Sequence, residues 1–71
     1  MRRFEEAKAC FEKVILIDPD YEDAYYNLAV LYAKTGDVNN AKLNLNRAIQ
    51  INEEYNDYAK EEEVFKNMIE L

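Results

Sequence analysis

Apolar residues recur at steps of three and four along most of the chain, the spacing that lines one face of a helix. Phe4, Ala7, Phe11, Val14 and Ile15 form the first such stripe, and Asp18-Pro19 ends it. A residue before proline is pushed out of the helical region. Tyr21, Tyr25, Leu28, Ala29 and Tyr32 form the second stripe. Asp20 is expected to cap that helix, with Asp23 adding charge that favours its amino end. Gly36 follows Thr35 where a helix needs a left-handed residue to close. Asp37 then caps a third helix with the stripe Val38, Ala41, Leu45, Ala48 and Ile49. Asn52 or Asn56 starts a fourth, which ends near Ile69 with Tyr55, Tyr58, Phe65 and Ile69 inward and Met68 beside them. One proline and one glycine are the only strong breakers. No alternating β-branched run supports a strand, so the pattern predicts an all-α chain of four helices. Their short connections make neighbours antiparallel.

The stripes also repeat. Shifting the sequence by 34 places lays Ala7-Lys8 on Ala41-Lys42, Phe11 on Leu45, Ile15 on Ile49, Ile17 on Ile51 and Tyr21 on Tyr55. A helix-pair unit of this period is a solenoid signature. Within it, Tyr25, Leu28, Ala29 and Tyr32 precede the Gly36-Asp37 turn, and Ala41, Leu45, Ala48, Ile49 and Ile51 follow. In these residues the chain resembles the tetratricopeptide repeat family from Phe4 to Ile51. The resemblance implies a right-handed α-solenoid of antiparallel helix pairs in a single domain, residues 1–71. Residues 3–17 would be the second helix of a partial repeat, 22–55 a full repeat and 55–70 a capping helix. Val14 stands where the family prefers alanine and Glu53 where it has proline, and the pattern dissolves after Tyr55.

The first helix thus corresponds to a second helix without its partner. Part of its Phe4, Ala7 and Phe11 surface is expected to be bare, either because the chain was cut from a longer array or because two copies pair there. The last helix reads as a solvating cap, with Lys60, Glu61-Glu62-Glu63, Lys66 and Asn67 keeping it polar. Glu62 falls within the Tyr58–Ile69 stripe and is expected to reach solvent at its margin.

Composition narrows the function. Nine basic against fifteen acidic residues give a net charge of −6. Such a chain repels phosphate backbones and acidic lipid surfaces, so neither nucleic acid nor membrane is an expected partner. The longest apolar run, Val14–Ile17, is too short to span a bilayer. Met1-Arg2-Arg3 leads straight into charged residues, so no signal peptide is read. A single cysteine, Cys10, excludes an internal disulfide and fits a reducing, cytoplasmic setting. Cys10 reads as a half-buried packing residue. With no histidine, no glycine-rich phosphate loop and no metal-loop spacing of carboxylates, neither catalysis, a cofactor nor a metal is expected.

What remains is binding to protein. The resemblance implies recognition of a peptide or helix along the concave face of first helices, here the 21–35 helix. Asp23, Tyr26, Asn27, Val30, Ala33 and Lys34 lie on that face. Tyr26 and Val30 are its apolar candidates, Asn27 suits a peptide backbone and Lys34 a carboxylate. The competing reading is that Tyr26 and Val30 pack against the preceding helix. Some family members clamp carboxylate tails of chaperones, but only Asn27 and Lys60 match those slots. The alternative function is assembly, with copies or a larger protein stacking through Phe4, Ala7 and Phe11.

Overall fold

The computed structural model describes the backbone of residues 2–69 and the side-chain surroundings of residues 2–66. Five helices follow one another: α1 (Arg2–Ile17), α2 (Glu22–Lys34), α3 (Val38–Ile51), α4 (Glu54–Glu61) and α5 (Glu63–Ile69). The Cα trace measures 32 × 29 × 17 Å, the short axis being two helix layers deep. α2 is central, packing most extensively on α3 and also meeting α1 and α5. The all-α, solenoid-like architecture is the one the sequence implies.

Alanine explains how closely α2 and α3 approach. Among the described residues, eight apolar residues are buried, and five of them are alanine: Ala24, Ala29, Ala41, Ala48 and Ala59. Small side chains bring helix axes together, so that larger neighbours interlock around the contact. Leu28, Tyr55 and Phe65 complete the buried set. Val30, Tyr32, Ala33, Val38 and Leu45 pack on the cluster from its edge. No buried polar or charged side chain was found among the described residues, which leaves packing as the main source of cohesion.

The turn between α2 and α3 follows its sequence closely. Gly36 adopts φ +84°, the left-handed conformation that a Cβ disfavours. Asp37 caps α3 by accepting from the Asn40 amide at 3.2 Å and from Asn40 Nδ2 at 2.8 Å. Asn52 likewise accepts from the Glu54 amide at 3.1 Å, ordering the entry to α4.

Several expectations change. Asp20 does not cap α2: Tyr21 occupies the cap position with no side-chain bond, and Asp20 instead faces Arg47 at 3.9 Å. Tyr21 lies before α2 and is exposed. Its ring therefore adds nothing to the buried stripe, and the segment is tied down by Tyr25, whose hydroxyl donates to the Pro19 carbonyl at 2.9 Å. The single final helix is in fact two, because Glu62 takes extended backbone (φ −79°, ψ 123°) between them. An unbroken helix would carry Glu62 into the apolar stripe. The break resets the phase, so Phe65 turns inward while Glu62 stays half-exposed. Tyr58 is exposed rather than inward, because the buried face of α4 is formed by Tyr55 and Ala59, one turn apart. The Met68 and Ile69 side chains lie outside the described ones.

Candidate interaction surface

The α2 stripe is built by a helix whose charges suit its ends, Glu22 and Asp23 in the first turn and Lys34 in the last. Asp23, Asn27 and Lys34 are exposed. Tyr26, Val30 and Ala33 are half-buried against the core cluster. Tyr26 packs on the following helices. Its ring centroid lies 4.9 Å from that of Tyr55 in α4 and 5.7 Å from that of Phe65 in α5. Tyr58 extends the series, edge-on to Tyr55 at 5.6 Å. Four rings, Phe65, Tyr26, Tyr55 and Tyr58, therefore run in contact from the α2 face to the surface. Such pairs contribute about 0.5–1.5 kcal/mol each beyond burial.

The surface end of this series opens into a depression of about 400 Å³ lined by Tyr26, Tyr58, Glu61 and Glu62. Burial, and then the negative charge of Glu62, push the Tyr26 phenol above its ordinary pKa. The depression is thus aromatic on one side and anionic on the other. The candidate residues of α2 differ in exposure: Asp23, Asn27 and Lys34 are open, while Tyr26 and Val30 are half-buried against the core cluster.

Repeat-related positions on α1 and α3 differ in burial. Ala41 and Ala48 of α3 are fully buried, whereas their counterparts Ala7 and Val14 of α1 are only half-buried. Phe4 and Phe11 are also half-buried, and Phe4 lies edge-on to Tyr32 of α2 at 5.9 Å between centroids. The barest apolar residues of α1 are Leu16 and Ile17, 82% and 81% exposed. A shallow depression of about 300 Å³ lined by Val14, Ile17, Asp18 and Tyr21 adjoins them. Cys10 is exposed, not the half-buried packing residue that the sequence suggests.

A third surface lies between α2 and α3. Arg47 sits 5.6 Å from the centroid of the Tyr25 ring and 3.9 Å from Asp20. The cation there is already matched to a ring and a carboxylate of its own chain.

Among the described residues, no group of three or more histidine, cysteine or acidic side chains is placed to hold a metal ion. No described helix is long and apolar enough to cross a membrane. The sequence pattern missed Ala24 and Ala59 as core positions, although Ala59 lies one turn beyond Tyr55 and could have been found by that spacing. It had no signal for the depression, which joins Tyr26 of α2 to Tyr58, Glu61 and Glu62 at the end of α4.

A family model described as TPR repeat matches residues 3–36, and one described as tetratricopeptide repeat matches residues 22–55. No curated protein and no solved structure gives a significant match.

Proposed function

The chain belongs to the tetratricopeptide repeat family, whose repeats generally mediate protein–protein interaction, and from that premise we propose that it is a non-catalytic module that binds a peptide or helix through the α2 face. The observation that carries this reading is the exposure of Asp23, Asn27 and Lys34 along one line of α2. Asn27 offers both donor and acceptor to a peptide backbone, and Lys34 offers a cation to a carboxylate. Tyr26 and Val30 contribute at the edge of the face, where they are half-buried. Because those two residues also support the core, the exposed residues are the better probes. With a purified partner, Asn27→Ala and Lys34→Glu should each weaken binding about tenfold, the effect of roughly 1.4 kcal/mol. Unaltered affinity in both variants would remove α2 from the recognition surface.

The second reading, an assembly or scaffold element, draws support from the bare end of α1. Leu16, Ile17 and Tyr21 are large apolar or amphipathic side chains close in sequence and open to solvent. Phe4, Ala7 and Phe11, half-buried toward the amino end of the same helix, would extend such a contact along α1. Sedimentation as a function of concentration separates the readings. Self-association that disappears in Leu16→Lys/Ile17→Lys supports assembly, and a monomer at all concentrations opposes pairing of copies.

A further inference from the structure

We propose that the depression between α2 and the α4–α5 break is a receptor for an arginine side chain of the bound protein segment. The inference rests on the reading of α2 as the recognition surface and names the chemistry of what that surface takes. Two rings, Tyr26 and Tyr58, and two carboxylates, Glu61 and Glu62, line the space. Tyr58 is 54% exposed, so a large part of its ring is open to contact. Neither Glu61 nor Glu62 makes an ion pair among the described residues, in which the acidic partners are Glu6, Asp20 and Glu63.

A guanidinium matches this lining better than an ammonium. It is flat, stacks on aromatic faces and donates two parallel hydrogen bonds to one carboxylate. Cation–π contact with a tyrosine ring contributes about 0.5–1 kcal/mol at an exposed site and more when water is excluded. The volume, about 400 Å³, lies within the span of roughly 300–1,000 Å³ found for small-ligand sites.

The chain itself contains the same combination on its other side. There Arg47 lies 5.6 Å from the Tyr25 ring centroid and 3.9 Å from the Asp20 carboxylate. Ring, cation and anion are all supplied in cis at that place. At the Tyr26–Tyr58 depression the rings and anions are present, and no lysine or arginine is among the lining residues. The partner supplies the cation. The overall charge of −6 acts in the same direction, since an acidic surface raises the encounter rate with a basic segment.

The test uses the full chain and N-acetyl-arginine amide as probe, with the uncharged isostere N-acetyl-citrulline amide as control. Amide and tyrosine-ring chemical shifts should move saturably with a dissociation constant on the order of millimolar, centred on Tyr26, Tyr58, Glu61 and Glu62. The citrulline probe should produce no saturable change. Glu61→Gln/Glu62→Gln and Tyr58→Leu should each weaken the arginine response at least severalfold, while Tyr58→Phe retains it. Equal responses to the two probes, no saturation, or shifts confined to the Tyr25–Arg47 side would overturn the inference. If the arginine response fails while Asn27→Ala and Lys34→Glu still weaken partner binding, the pocket falls and the α2 reading stands. If the arginine response holds but partner binding ignores both α2 variants, the arginine receptor stands and the wider α2 face is withdrawn.

Discussion

The α2–α3 pair and the α4–α5 pair are held together in opposite ways. In α2–α3 the contact is made by what is absent: Ala29, Ala41 and Ala48 carry one methyl each, and all three are fully buried. In α4–α5 bulk is added to a single alanine, Ala59: Phe65 is fully buried in the same cluster and meets Tyr26 of α2 edge-on, and Tyr26 packs in turn on Tyr55. Loss of volume is expected to cost most at the aromatic interface, and gain of volume most where the alanines meet. The alanine interface sets the position of α2, while the aromatic interface shapes the depression and covers part of the α2 face.

The largest expected effect is therefore truncation on the aromatic side. Phe65→Ala should cost about 3–5 kcal/mol, comparable with the roughly 3–5 kcal/mol that a core of this size supplies. Its thermal transition should fall to ambient temperature or below, and a transition close to that of the unaltered chain would break the comparison. Enlargement on the alanine side comes next. Ala41→Leu should cost about 1–3 kcal/mol by forcing α2 and α3 apart, measured as a lowered urea midpoint. If Ala41→Leu were neutral, close approach of the two helices would not be what holds them.

Smaller effects sharpen the account of the α2–α3 turn. Gly36→Ala should cost about 1–2 kcal/mol from backbone conformation alone, since nothing lies within 4 Å of where its Cβ would stand. Asp37→Ala should cost about 1 kcal/mol by removing the α3 cap, with amide exchange accelerated at Asn40. The smallest effect is electrostatic. The folded state holds the Tyr26 phenol neutral above its ordinary pKa of 10.0, so this contribution to stability is complete below pH 10.0 and is lost as pH rises through the folded value. Tyr26→Phe should make the alkaline fall in stability shallower, and identical pH profiles for the two chains would contradict the burial of that ring.

Much of the repeat was legible from spacing. Leu28 and Ala29, then Ala41 and Ala48, recur at helical steps and are buried, and Gly36-Asp37 turns the chain as those two residue types require. The region after Ile51 was less legible because its side chains do not specify one face. Tyr58 and Glu62 fit an unbroken helix by spacing, but α4 buries Tyr55 and Ala59 instead, and the extended backbone at Glu62 separates that face from the one that buries Phe65. The candidate site was legible in its polar residues Asp23, Asn27 and Lys34, which need only α2 to be placed. Its aromatic and acidic half was not, since it joins residues from separate helices through a phase change.

Recognition through α2 is tested most directly by mapping backbone amide shifts during titration with a purified partner. The account predicts shifts at Asp23, Asn27 and Lys34, continuing to Tyr58 and Glu61. Shifts confined to Leu16, Ile17 and the rest of α1 would contradict it.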